Sequence, residues 1–201
     1  SVTVSNVVGS VESAAAILET GSMPSFSTQP SGGYVGVGGS VTLVGTAVGK
    51  PVPVYQWRKD GVAISGATGE QLVISDWNAE LAGDYTLVAT NSNGSVTSGV
   101  AKLQTGSVPT ITTQPGSQNP GFGSNTTLSV VASGVPAVAY QWKRNGVAIS
   151  AATQAQLVIP NYQLSQAGNY TVVVSNVLGS LESQVAVLGT GSVPVITAHP
   201  V

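Results

Sequence analysis

The stretch YQWRKDGVAI, residues 55–64, decides how this chain folds. Tyr55 and Trp57 fall on one side of an alternating segment and Gln56 on the other, the period-2 pattern of a strand with one buried face. Asp60-Gly61 follows at once. Such a pair is the strongest short-range hairpin signal, because a type I′ turn needs positive φ at both central residues. The stretch returns as YQWKRNGVAI at residues 140–149, with Asn145-Gly146 in the turn.

The interval between the two copies is 85 residues, and it holds everywhere. Asn6, Asn91 and Asn176 keep it, as do Gly21, Gly106 and Gly191, and Tyr85 and Tyr170. No insertion or deletion separates the copies. A fixed period marks a tandem array, and a unit this long can hold its own core. The spacing predicts two whole units at 23–105 and 108–190. Residues 1–20 match the end of a unit, a final hairpin. Residues 193–201 match the opening strand of the next. On this reading the sequence is a window on a longer array.

Strand signals fill each unit. Ser40–Val48 alternates with Val41, Leu43, Gly45 and Ala47 on one face. Gln71–Ser75 turns Leu72 and Ile74 inward, and Asp84–Thr90 turns Tyr85, Leu87 and Ala89 inward. Asn91–Gly94 makes a turn, and Ser95–Gln104 returns. In that last segment the phase slips from Val96, Ser98 and Val100 to Ala101 and Leu103, which a β-bulge would explain. About seven short strands per unit, each with one apolar face, read as an all-β antiparallel sandwich. LQTGSVPTIT, from 103 to 112, passes from a last strand to a first strand with only a few linker residues between, stiffened by proline.

The order of these pieces resembles the immunoglobulin superfamily, and within it the intermediate-type domains. The carriers are YQWRKDGVAI, LVIS and AGDYTLVATNSNGSV in unit one, and YQWKRNGVAI, LVIP and AGNYTVVVSNVLGSL in unit two. The resemblance places Trp57 and Trp142 on the family's buried tryptophan and Tyr85 and Tyr170 on its tyrosine corner. The family's disulfide positions hold Gly45 and Leu87 in unit one and Val130 and Val172 in unit two, since the chain has no cysteine. The structural core expected from the resemblance is therefore Trp57, Tyr85, Leu87, Val130, Trp142, Tyr170 and Val172, with each pair of replaced cysteines as near neighbours. Leu87, Val130 and Val172 recover part of the lost stabilisation by packing, whereas Gly45 recovers none, which makes unit one the looser. Cysteine-free versions of the pattern resemble bacterial tandem repeats of large exported proteins.

Chemistry-bearing residues do not survive from unit to unit. The single histidine, His199, stands where Gln29 and Gln114 stand in the other copies. Asp60, Asp76 and Asp84 become Asn145, Asn161 and Asn169, and Glu80 becomes Ser165. Calcium sites need several oxygen ligands, usually with carboxylates, and general acid–base work needs a pair in opposed environments. The sequence thus predicts no catalytic residue, no metal site, no cofactor and no enzyme; any ligand-binding residue is unassigned. Trp77 and Tyr162 could stack on a sugar, but their place is that of a core residue in the resembled family. Asn93, Asn125 and Asn169 open glycosylation-acceptor triplets.

Only 7% of residues are charged and the net charge is −2, against about a quarter charged in ordinary soluble domains. Six Lys and Arg cannot make a phosphate-binding stripe, which argues against nucleic acid. No apolar run is long enough to span a membrane as a helix. The composition suits an extracellular or cell-surface protein. The function expected is a non-catalytic, self-associating repeat segment of a long bacterial extracellular or surface fibre. The alternative is the stalk or binding array of an adhesin or carbohydrate-binding exported protein. The expected partners are other copies or adjoining repeats, with glycans as a second candidate, because scarce surface charge favours association.

Overall fold

The structure, a computed structural model, describes residues 1–17 and 20–190. The opening strand read at 193–201, and His199 with it, lie outside the described residues. From the amino end the strands are β1 (Thr3–Asn6), β2 (Gly9–Glu12), β3 (Ser22–Thr28), β4 (Gly33–Gly36), β5 (Val41–Val44), β6 (Thr46–Lys50), β7 (Val54–Lys59), β8 (Val62–Ala63), β9 (Gln71–Ile74) and β10 (Gly83–Asn91). They continue as β11 (Gly94–Thr97), β12 (Ala101–Thr113), β13 (Thr126–Ser129), β14 (Val131–Val135), β15 (Ala139–Arg144), β16 (Val147–Ala148), β17 (Gln156–Ile159), β18 (Gly168–Asn176), β19 (Gly179–Glu182) and β20 (Ala186–Leu188). Short 3-10 turns occupy Ala79–Leu81 and Leu164–Gln166. The chain is all-β, as its alternation dictates.

By compactness the chain divides into two units. Among the described residues, one gathers stretches within Ser1–Ser31, Thr42–Leu72 and Asp84–Ala101; the other gathers Gly32–Val41, Val73–Gly83 and 102–190. The second unit contains the whole second repeat, which forms two layers. In one, β13 pairs antiparallel with β17, and β14 with the distal half of β12. In the other, β16, β15, β18 and β19 lie side by side, and β20 pairs with the start of β18. The inward residues interdigitate as one cluster: Leu128, Val130, Trp142, Leu157, Ile159, Tyr162, Tyr170, Val172, Val174, Ala186 and Leu188, all buried.

The first compact unit repeats the hairpin logic. β7 pairs with β10, setting Trp57 opposite Leu87, and β10 pairs with β11. Asp60 and Gly61 take φ of 49° and 81°, and Asn145 and Gly146 take 50° and 79°. These are the positive values the turns were read to need. β1 and β2 form a third hairpin, with Asn6 opposite Gly9 as Asn91 is opposite Gly94 and Asn176 opposite Gly179.

Three expectations change. The phase slip after Val96 is a break and not a bulge: β11 ends at Thr97, β12 begins at Ala101, and Val100 is exposed. The few residues expected to join two strands are themselves strand, since β12 runs unbroken from Ala101 to Thr113. Its first half pairs in parallel with β4 and its second half antiparallel with β14, with a register shift between Ser107 and Thr110. Pro109 lies in that shift, where a residue without an N–H costs the ladder nothing. Finally, Gly45 is not a gap. A Cβ built on it would lie 2.8 Å from Leu87 Cδ2, so Leu87 already fills the space. The small residue and the large one are complementary, and the first repeat loses no packing there.

Candidate functional site

The most developed constellation in each repeat is a set of polar latches around the core, and it is best seen in the second. Trp142 sits at the centre, fully buried, and its Nε1–H donates to the carbonyl of Gln154 at 2.9 Å. Trp57 repeats this with Gly69 at 3.0 Å. A buried indole needs such a partner, because an unmet donor costs the full desolvation penalty. Tyr170 is buried, and its hydroxyl donates to Gln166 O at 2.6 Å, closing the chain's corner onto the 3-10 turn.

Trp57, Tyr85, Leu87, Val130, Trp142, Tyr170 and Val172 are each buried to within 3% of full enclosure. Trp77 and Tyr162 are buried as well, with Trp77 Nε1–H donating to Thr105 Oγ1 at 3.1 Å and Tyr162 Oη–H to Gly189 O at 2.6 Å. Neither ring presents a face for stacking a sugar. Phe122, partly exposed, stacks on Tyr162 with centroids 6.5 Å apart and planes at 11°.

Val172, at a position where the family carries cysteine, is fixed by a serine. Its N–H donates to Ser183 Oγ at 3.0 Å, Ser183 N–H returns a bond to Val172 O at 2.9 Å, and Ser183 Oγ–H donates to Gln184 O at 2.8 Å. Gln114 completes the latch, its Oε1 accepting the N–H of Gln184 at 2.9 Å. The first repeat does the same with Leu87, Ser98, Gly99 and Gln29. The leading hairpin keeps the serine part, with Val2 N–H on Ser13 Oγ at 2.8 Å. The latch spans the break in the last strand, where the ladder cannot serve those N–H groups. Sequence reading passed over it, although Ser13, Ser98 and Ser183 keep the 85-residue interval.

The asparagines are a second latch. Asn176 Nδ2 donates to Ser107 O at 2.8 Å and to Pro136 O at 3.1 Å, while its Oδ1 accepts from Leu178 N–H at 2.9 Å. Asn91 holds Ser22 O and Pro51 O, each at 2.8 Å, and accepts from Asn93 N–H. One side chain thus joins a first strand, a proline loop and a hairpin turn, using every polar atom that an amide offers.

The interchange of Asp and Asn between repeats has a structural cause. Asp60 Oδ1 accepts the N–H of Asp84 at 2.9 Å, and Asn145 Oδ1 accepts that of Asn169 at 2.9 Å. The turn needs a side-chain oxygen and not a charge. Asp76 and Asn161 both take a φ of 50°, the left-handed region that Asp and Asn tolerate. The Asp84 N–H and then the Lys59 ammonium, 3.0 Å away, hold the Asp60 carboxyl below its ordinary range. Glu182 is likewise lowered, first by the Thr171 hydroxyl at 2.7 Å and then by Lys143 at 3.4 Å. Burial raises the Tyr162 and Tyr85 phenols. These are structural hydrogen bonds and no acid–base pair lies among them. Among the described residues no three of His, Cys, Asp and Glu come together as metal ligands, and no helix is long and apolar enough to cross a membrane.

A cleft of about 590 Å³ opens in the second repeat between β16 and β17, lined by Arg144, Val147, Ile149, Ile159, Pro160 and Tyr170 among others. Arg144 is held at its rim by donating to Ser165 O at 2.8 Å.

A family model described as "Immunoglobulin domain" matches residues 23–91 and 108–176. The chain belongs to the immunoglobulin-domain family. It is similar to human IgLON family member 5, at 30% identity over 79% of this chain and 50% of that protein. It is similar to rat limbic system-associated membrane protein at 32%, over 85% of this chain and 53% of the relative. With human roundabout homolog 1 it shares 31%, over 88% of this chain and 12% of the relative. The chain thus spans about half the length of the first two relatives. In fold it is similar to domains 3–5 of the extracellular region of Drosophila OTK, with a TM-score of 0.65 and 22% identity, covering 92% of this chain and 67% of the other. It is also similar to titin fragment I67–I69, with a TM-score of 0.59 and 21% identity, covering 84% and 65%. The chain is thus a tandem immunoglobulin-domain protein.

Proposed function

We propose that this chain is a structural repeat segment of a long bacterial extracellular or cell-surface fibre, with domains at 23–105 and 108–190, and that it self-associates. The observation that carries the reading is the surface. Val44, Val48, Val62, Val73, Val131, Val147 and Val158 are all exposed on strands, in a chain with 14 charged side chains. Domain surfaces are ordinarily about 25–35% charged, and a net charge near zero promotes association. The absence of cysteine supports the resemblance to exported bacterial repeats; the relatives named above are mammalian. The polar latches contribute rigidity and no binding chemistry, which suits a structural element.

The second reading is a binding array of a cell-surface adhesin. The similarity to rat limbic system-associated membrane protein favours it. Electron microscopy of the native material distinguishes the two. Filaments with lateral or end-to-end order support the fibre, and isolated particles attached to cells support the adhesin.

A further inference from the structure

β17 is an unguarded sheet edge. Val130 N–H donates to Ala155 O at 3.0 Å, and Leu128 lies opposite Leu157 in the β13–β17 ladder. Antiparallel pairing alternates, so the backbone groups of Ala155, Leu157 and Ile159 face β13. Those of Gln156 and Val158 face outward, and β13 is the only strand that pairs with β17 among the described residues. Natural edges are blunted with charge, bulges or proline. Here no residue from Asn145 to Leu181 is charged, and the strand is regular to Pro160 at its end.

The counterpart in the first repeat is β9, with the same four residues, Gln-Leu-Val-Ile. It pairs only with β5 among the described strands. Its flanks are acidic: Glu70 precedes it and Asp76 follows, and both are exposed. Residues 23–105 carry five acids against four bases, and residues 108–190 carry two bases against one acid. Lys143 is paired with Glu182, whereas Arg144, among the described residues, donates to the Ser165 carbonyl and has no acidic partner, and it lines the cleft beside Ile159 and Pro160.

We infer that β9 of one copy adds antiparallel to the free edge of β17 of a second copy. The inference rests on the self-association proposed above and names its surface. With Gln71 opposite Val158 and Val73 opposite Gln156, the outward N–H and C=O groups of both strands meet. Glu70 then arrives at the Ile159 end, where Arg144 stands. Two β17 edges meeting each other would bring no such charge pair. The contact is also heterologous: each copy offers one β9 and one β17, so pairing propagates instead of closing at a dimer.

Sedimentation velocity on the 201-residue chain across a wide concentration range tests this. The expected result is a series extending past the dimer of a 20.0 kDa protein, weakened by salt. Val158→Pro removes an outward N–H that β13 does not use, so it is expected to abolish the series with the near-ultraviolet tryptophan signal retained. Val158→Thr keeps the N–H and is expected to keep the series. Glu70→Arg and Arg144→Glu are each expected to weaken it at least tenfold, and the double variant to restore it. A series unchanged in Val158→Pro and in both charge variants overturns this interface while leaving self-association standing. A series that stops at a dimer also overturns it. A chain that is monomeric at every concentration overturns both the interface and the self-association on which it rests.

Discussion

Asn176 reaches Ser107, 69 residues earlier in the chain, and donates to its carbonyl at 2.8 Å. The same amide also serves Pro136. Truncation to alanine leaves two carbonyls without their donor. Asn176→Ala is expected to destabilise the second repeat by about 1–3 kcal/mol, read as a lower midpoint in urea. Asn176→Asp keeps the shape but presents an acceptor to acceptors, and is expected to cost more.

Ser183 is the next target. Its hydroxyl oxygen accepts the N–H of the fully buried Val172. Ser183→Ala is expected to cost about 1–3 kcal/mol, the cost of a buried unmet donor. Amide exchange gives a specific readout: protection at Val172 falls, while protection in the β13–β17 ladder changes only with global stability.

Trp142→Ala removes the largest side chain of the second core and is expected to cost about 3–5 kcal/mol. Trp142→Phe retains most of the packing but abandons Gln154 O, and is expected to lie between that variant and the parent. Thermal unfolding followed by far-ultraviolet circular dichroism ranks the variants, while the fluorescence of Trp57 and Trp77 reports separately on the first repeat.

Gly45→Ala places a Cβ against Leu87 Cδ2 at 2.8 Å. Overpacking of this kind costs about 1–3 kcal/mol. Gly45→Ala combined with Leu87→Val conserves volume across the contact and is expected to recover most of the loss. If the single variant unfolds at the parent's denaturant midpoint, the space above Gly45 is not filled as described.

Burial raises the Tyr162 phenol above its ordinary value near 10, and its proton is committed to Gly189 O. A raised folded value means that the contribution is whole below about pH 10 and is lost as pH climbs through the folded value. Stability is therefore expected to fall on the alkaline side. Tyr162→Phe should lower stability at neutral pH and flatten that alkaline fall, checked by urea unfolding at a series of pH values.

Much of this architecture was legible because it is local. Asp60-Gly61 and Asn145-Gly146 announce their turns through φ alone, and Trp142 and Tyr170 stand in strands whose alternation is plain. What escaped notice depends on distance in space. Gly45 reads as a hole until Leu87 is seen across from it. Ser183 reads as a surface residue, since nothing local says that its hydroxyl replaces a missing ladder bond. Gly106 and Pro109 are ordinary punctuation, so β12 reads as two strands and a joint; only its pairing with β4 and then β14 reveals one strand. The free edge of β17 became visible only when the hydrogen-bond phase of the ladder was known.

Val172 and Ser183 together change how such a chain matures. A bridge between cysteines must wait for an oxidant, and in a row of similar repeats each thiol has many wrong partners by exchange. A hydroxyl accepting one N–H forms at the speed of the hairpin itself, about microseconds, and can be made and unmade without an enzyme. Copy number can then grow by simple duplication without multiplying the ways to misconnect. With no cysteine in the chain, its fold is indifferent to reductants that would open a disulfide-stitched one.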